Sequence, residues 1–185
     1  MKLKSFENLL VEELRDLFDA ETQLVGALPL MADTAVLPEL KKAFVTHLEQ
    51  TKRHRERLQG ILRQLEANPE GNPCKTMTGL IAEAQDLIDS QKTADPGVLE
   101  AALIGAAQKI EHFEIAAYGC ARTYAQILGH NLIAGTLQET LDEEGQTNEL
   151  LNQLAMQSVN PEAAEATNRE KTFREAVVSV LEVAD

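Results

Sequence analysis

The sequence contains no tryptophan, and aromatic residues make up only 4% of its 185 residues. Alanine, leucine, glutamate and glutamine are abundant instead. Because sheets are enriched in aromatic and β-branched residues, this composition argues against a β-sheet and favours helices. The length suits a single domain that can bury a sizeable core without disulfide bonds.

Cysteines are few and long apolar runs are missing. Cys74 and Cys120 are the only two cysteines, too few for a secreted disulfide framework and without the spacing of a zinc site. No apolar run approaches the roughly 18 residues that a membrane-spanning helix needs. The N-terminal segment also lacks the apolar stretch of a signal peptide. We therefore predict a cytoplasmic protein with free thiols and no membrane association.

Positive charge is scarce, with 30 acidic against 17 basic residues and a formal net charge of −13. Such a surface repels phosphate backbones, so we predict no nucleic-acid binding. It attracts cations, although most of the excess charge is expected on solvated helix surfaces. The chain also lacks a glycine-rich phosphate loop and a Gly-x-Ser-x-Gly nucleophile motif, which argues against nucleotide and acyl-transfer chemistry.

Helical periodicity extends through almost the whole chain. It predicts helices over residues 5–28, where Ser5 is the N-cap and Pro29 kinks or interrupts the helix, and over 38–66, 78–91, 98–128 and 131–158. The third helix is short, and the long segment around it can travel the length of a bundle. Two hairpins joined by one crossover have the connectivity of ferritin-like bundles. We predict an all-α, ferritin-like four-helix bundle with a short crossover helix over residues 1–160, then a C-terminal extension, 161–185, whose apolar pattern offers one more helix.

The helix predicted over residues 98–128 is apolar on two sides, so both sides should be buried. We expect the crossover helix, the C-terminal extension or a second subunit to cover its second strip, and a homodimer is our first choice. This strip consists of Leu103, Ile110, Phe113, Ala117 and Tyr124.

Several acidic and imidazole side chains fall in the middle of otherwise apolar helical stripes. Burying one unpaired carboxylate costs several kcal/mol, and lysine and arginine are scarce on these stripes, so bound metal is the expected compensation. Carboxylates with imidazoles suit iron or manganese, with zinc as the usual competitor. These residues are Glu21 in the first helix, His47 and His54 in the second, Glu111 and Glu114 in the fourth, and Glu144 in the fifth.

Each of these residues alone has a second interpretation. A glutamate on a stripe is often a hydrogen-bonded core group, or a surface residue misplaced by a slip in helical phase, and Glu143 could then take the inward position of Glu144. His47 fits a core or supporting histidine better than a ligand. The coincidence on four helices carries more weight than any single member. Hydrogen-bonding support is expected from Thr51, Tyr118 and Asn148.

Several segments resemble the YciF/YciE family of bacterial stress-associated proteins, over about residues 4–159. The resemblance implies a ferritin-like fold similar to that of rubrerythrin, with Glu21, Glu111, Glu114 and Glu144 as acidic metal ligands. The chain departs from the usual Glu-x-x-His pattern at Thr147, three residues after Glu144, and at Thr51, three residues before His54. The segments are DAETQL at 19–24, HLEQT at 47–51, AAQKIEHFEIA at 106–116 and TLDEE at 140–144.

We therefore hypothesise a non-haem di-metal protein of stress defence, for which reduction of peroxide or oxygen is the reaction to test. Two metal ions, iron first and manganese or zinc as alternatives, would be bound by the set Glu21, His54, Glu111, Glu114 and Glu144. The alternative is a non-catalytic structural or interaction bundle whose acidic core is vestigial.

Overall fold

The computed structural model describes residues 4–166 and 168, and its regular structure over that part of the chain is entirely helical. A 3-10 turn over Ser90–Lys92 follows the third α-helix, and a π-helical turn over Ala155–Val159 follows the fifth. The predicted all-α fold is confirmed. The α-helices are α1 (Phe6–Thr34), α2 (Pro38–Gln64), α3 (Lys75–Asp89), α4 (Pro96–Ile127) and α5 (Asn131–Leu154).

Four long helices form the bundle, and α3 lies outside it. The hairpin α1–α2 packs on the hairpin α4–α5, with α1 against α4 and α2 against α5. The short α3 packs on α1 and α4, and its buried side chains Met77 and Ala84 face them. The predicted crossover helix is therefore confirmed, with its start at Lys75 instead of about residue 78.

Local sequence signals explain where most helices begin and end. Ser5 caps α1 by accepting a hydrogen bond from the Asn8 amide at 3.1 Å. Asp95 caps α4 in the same way, accepting from the Val98 amide at 3.0 Å. Gly129, with a φ of 81°, forms the tight joint between α4 and α5, because a left-handed backbone costs glycine little.

Two predicted helix ends were wrong, and both involve proline. α1 continues past Pro29 to Thr34, since the turn after the proline buries Met31 and Ala32 in the core. The helix predicted to end at residue 158 also continues, because the π-helical turn after α5 leads into a helical backbone over residues 160–166, beyond Pro161. The π-helical turn just before that proline widens the backbone where its ring would otherwise crowd the preceding turn.

The domain boundary placed after residue 160 stays a prediction. The last amphipathic helix expected in the C-terminal extension lies outside the described residues.

The core consists of two apolar clusters with a polar layer between them. One cluster lies at the α1–α2 connection and includes Leu24, Met31 and Phe44. The other lies at the α4–α5 connection and includes Leu14 and Leu58. Each long helix carries apolar residues on both sides of its buried polar ones, so the four polar segments meet at one level of the bundle.

The second apolar strip of α4 is covered mainly by the chain itself. Leu103 and Ile110 are buried, and Phe113 packs against both apolar clusters. Tyr124 meets Phe6 of α1 edge-on, with ring centroids 5.2 Å apart. On this strip, only Phe113 and Tyr124 remain partly exposed. The homodimer stays a prediction. Across the described residues, no helix has the length and apolar character needed to cross a membrane.

Glu100 ties the two hairpins together, and its loss should loosen the bundle. Its Oε1 accepts hydrogen bonds from the amides of Val36 at 2.8 Å and Leu37 at 2.5 Å, in the α1–α2 connection. Glu100→Ala should lower the free energy of unfolding by about 1–3 kcal/mol, because two amides lose a charged acceptor. Glu149→Ala, at an exposed site on α5, should change it by less than about 0.5 kcal/mol. Urea denaturation measures both values, and equal effects would contradict the prediction.

Candidate metal centre

The polar layer gathers acidic and imidazole side chains from all four long helices. None of six key residues is more than 2% exposed. Glu144 is fully buried, so the predicted helical phase is correct there and Glu143 does not take the inward position. The six are Glu21 from α1, His47 and His54 from α2, Glu111 and Glu114 from α4, and Glu144 from α5.

Their donor atoms form two adjacent groups that share Glu144. In one group, donor atoms of His47, Glu111, Glu114 and Glu144 all lie within 4.8 Å of one another. In the other, those of Glu21, His54 and Glu144 do the same. The structure therefore brings together the five residues predicted as ligands and adds His47. Two donor groups with a common carboxylate are an arrangement that suits a pair of cations.

Most of these donor atoms have no hydrogen-bond partner. Six carboxylate oxygens of the four glutamates, together with His47 Nε2 and His54 Nδ1, are buried and unpartnered. His54 Nδ1 lies 2.8 Å from a Glu144 oxygen and His47 Nε2 lies 3.2 Å from a Glu111 oxygen, but neither contact has hydrogen-bond geometry. Oxygen and imidazole donors left open in a dry interior are the ligands that iron, manganese and zinc take in proteins.

Burial changes the protonation of the carboxylates. Burial is the main cause that raises the pKa of Glu21 to about 7, although His54 beside it acts in the opposite direction. Burial and the nearby Glu144 carboxylate raise the pKa values of Glu111 and Glu114 well above the ordinary value. Without a bound cation, some of these groups therefore keep a proton at neutral pH.

The two histidines respond to burial in opposite ways. Burial lowers the pKa of His47, so its imidazole is neutral and has a lone pair to offer. Burial also opposes the charge of His54, but the carboxylates of Glu144 and Glu21 outweigh it and raise the pKa of His54 to about 10. The metal-free centre thus contains one imidazolium among its carboxylates.

A second set of contacts holds His54 from outside. His54 Nε2 lies 2.6 Å from Glu143 Oε2, which directs Nδ1 toward Glu21 and Glu144. Arg57 in turn binds both oxygens of Glu143, at 2.7 and 3.2 Å. This chain of contacts was not predicted, because Arg57 lies in a run of charged residues in α2 that is typical of a solvated helix face. The i,i+3 spacing of His54 and Arg57 is the signal that could have revealed it.

Three of the other polar residues near the centre have defined roles. Tyr118 donates a hydrogen bond to Glu21 Oε1, as predicted for a supporting residue. Thr147 lies 3.4 Å from His47 Nδ1, so the residue that replaces an expected histidine contacts another histidine instead. The Thr51 hydroxyl donates to the His47 carbonyl of its own helix at 2.9 Å, and does not reach the carboxylates by a hydrogen bond. Asn148 Oδ1 is buried without a hydrogen-bond partner.

Comparisons with known proteins agree on one family. A family described as a domain of unknown function, DUF892, matches residues 5–164. The protein YciF of Escherichia coli (strain K12) is 40% identical over 165 residues, which cover 88% of this chain and 98% of YciF. The resemblance to the YciF family is therefore confirmed.

Solved structures give the same result. The crystal structure of YciF, called an E. coli stress protein, matches with a TM-score of 0.81 and 40% identity, covering 85% of this chain and 99% of that one. YcfI of Rhodopseudomonas palustris, for which a structural role has been suggested, matches with a TM-score of 0.77 and 38% identity, covering 82% and 95%. A protein from Xanthomonas campestris pv. campestris shares the fold at a TM-score of 0.69 and 20% identity, covering 90% and 99%.

The shifted pKa values predict how the stability of the metal-free protein depends on pH. Because the folded-state pKa of His54 is raised to about 10, the folded protein keeps a proton that the unfolded chain releases near 6.5. This stabilisation is complete below 6.5 and is lost as the pH rises toward 10. The pKa of Glu21 is raised to about 7, so the folded protein also keeps this proton after the unfolded chain has released it. The contribution of Glu21 to the free energy of unfolding therefore falls as the pH rises to about 7. The free energy of unfolding should fall by on the order of 1–3 kcal/mol between about pH 6.5 and 9.

Two histidine variants test this assignment. His54→Gln keeps a polar side chain but cannot take up the proton, so the dependence on pH should become flatter. His112→Gln removes an exposed histidine of α4 and should keep the dependence of the parent protein. Urea denaturation in the presence of a chelator measures the free energy at each pH. An unchanged dependence in the His54 variant would show that another group is responsible.

Proposed function

This chain belongs to the DUF892 family, and we propose that it is a non-haem di-metal binding protein that acts in bacterial stress defence. The observation that carries the proposal is the set of buried, unpartnered carboxylate oxygens and imidazole nitrogens in one layer of the bundle. Within the described residues, no lysine or arginine forms an ion pair with Glu21, Glu111, Glu114 or Glu144. Two bound cations would supply the missing positive charge.

Each of the two donor groups would bind one cation. Glu21 and His54 would bind one ion, and His47, Glu111 and Glu114 would bind the other. Glu144 belongs to both groups and would contribute to holding both ions. The donor set suits iron first, with manganese or zinc as alternatives. His47 is an addition to the predicted ligand set, and it offers an imidazole to the group that otherwise has only carboxylates.

Bound iron or manganese would supply Lewis acidity and electron transfer for the reduction of peroxide or oxygen. The protein's part in such a reaction follows from its own side chains. Glu111 and Glu114, whose pKa values are raised, hold protons that they give up when a cation binds. Tyr118 fixes Glu21 and Glu143 fixes His54, while burial of the whole layer keeps bulk water out.

The stress-related role is proposed by similarity to YciF, which is called a stress protein. The cytoplasmic location and the homodimer are part of the same proposal and rest on the sequence alone.

A second candidate function is a structural bundle without turnover. The raised pKa values of His54, Glu111 and Glu114 favour the protonated forms of all three, which lowers the net negative charge of the layer and lets it exist without metal. A structural role has been suggested for the R. palustris relative. This candidate would bind no cation at defined stoichiometry, and a metal titration therefore separates the two.

The metal content of the purified protein tests the proposal directly. Protein from iron- or manganese-supplied cells should contain about two equivalents of metal. Adding the metal ion at a hundredfold excess over its Kd should raise the free energy of unfolding by about 2.7 kcal/mol. Glu111→Gln should lose most of this stabilisation, because it replaces a buried carboxylate donor by an amide. Its metal-free form should be at least as stable as the parent, since the neutral amide removes a buried carboxylate whose ionisation burial opposes.

Glu49→Gln is the matched control for this variant. Glu49 is exposed on α2 and contacts Lys52, so the same change there should leave the metal content and the stabilisation unaltered. Absence of bound metal from either medium would favour the structural candidate. Retention of two equivalents by the Glu111 variant would show that this carboxylate is not a ligand.

A further inference from the structure

The seam between α2 and α5 is a place where polar side chains connect the surface to the buried centre. Along α5, Glu139 has 70% of its side chain exposed and Glu143, one turn later, has 25%. Glu143 contacts His54, whose side chain is fully buried at the edge of the centre. On the opposite side of the bundle, α3 covers the seam between α1 and α4. A chain of carboxylates therefore leads inward between α2 and α5.

Arg57 occupies the outer part of this seam. Its guanidinium donates hydrogen bonds to Glu143 through two nitrogens, at 2.7 and 3.2 Å. It also donates to the Thr140 hydroxyl at 3.1 Å and lies 3.9 Å from a Glu139 oxygen. With 24% of its side chain exposed, Arg57 has solvent on its outer side. It thus links α2 to α5 about one helical turn after His54.

We propose that cations reach and leave the buried centre through the α2–α5 seam, and that Arg57 is the gate that controls their passage. The inference rests on the proposed metal binding and adds a route and a controlling residue to it. In the closed state, the guanidinium occupies the Glu143 oxygens that an incoming cation needs. When Arg57 turns outward, Glu139 and Glu143, four residues apart on one face of α5, can hold a cation next to His54.

Electrostatics explain why an arginine should act as a gate here. A guanidinium repels a divalent cation and competes with it for the same carboxylate oxygens, while its two-point contact with Glu143 keeps the seam closed. Removing the positive charge lowers the barrier in both directions. The rates of uptake and of release should therefore rise together, and the affinity should change less than either rate.

Stopped-flow uptake of Co²⁺ by the metal-free full-length protein, and its release to excess EDTA, test the gate. Arg57→Gln should accelerate both processes about tenfold or more, because the guanidinium's contribution to the activation barrier is removed. Arg57→Lys keeps the charge but cannot bind Glu143 at two points, so its rates should lie between those of the parent and the glutamine variant. Glu139→Gln should slow uptake severalfold at low salt and less at high salt, because it removes the outer carboxylate.

Arg55→Gln is the matched control. Arg55 lies two residues away on α2 and lines a surface groove with Phe18 and Thr22 of α1, so the same loss of charge occurs away from the seam. Its rates should equal those of the parent protein. If both arginine variants behave alike, or if Arg57→Gln slows uptake, the gate is refuted while metal binding stands. If the parent protein binds no Co²⁺, Fe²⁺ or Mn²⁺, the proposed function fails and the gate fails with it.

Discussion

The free-energy cost of burying four carboxylates in one layer is the constraint on which the rest of this structure depends. Two unit charges about 4 Å apart interact by about 4 kcal/mol at an effective dielectric constant of 20, and each carboxylate also loses its hydration. The apolar clusters on either side of the layer hold the bundle together despite this cost. In the metal-free protein, the raised pKa values of Glu111 and Glu114 favour their neutral forms and the raised pKa of His54 favours its positive charge, and both effects reduce this cost.

The same constraint explains why the side chains around the centre are held so firmly. Glu21 accepts a hydrogen bond from Tyr118, and His54 is fixed by Glu143. Thr147 stands where a di-iron bundle usually has a histidine, and it contacts His47 of the facing helix. The imidazole that the fifth helix lacks is thus supplied by α2, whose two inward histidines are seven residues, or about two turns, apart.

The buried half of the centre could be predicted from the sequence, and its outer half could not. A carboxylate in the middle of an apolar stripe must face the core once the helix packs. The buried positions of Glu21, Glu114 and Glu144 therefore follow from helical periodicity. Arg57 lies in a basic run that looks like solvated surface, and its contact with Glu143 depends on how α2 and α5 face each other. The helix ends predicted at residues 28 and 158 were wrong for a similar reason, because tertiary packing can outweigh the effect of a nearby proline.

A layer that only stabilised the fold would have no need of this composition. Replacing buried ionic groups by apolar residues of similar size is often neutral or stabilising in proteins, so a purely structural bundle could continue its leucine stripes through the layer. Here the stripes are interrupted on all four long helices at the same level, and the donor atoms that result are left without partners. An arrangement that costs stability and leaves its oxygens open is better explained by a bound cation than by packing. The cost of this layer therefore favours the proposed metal binding over a purely structural role.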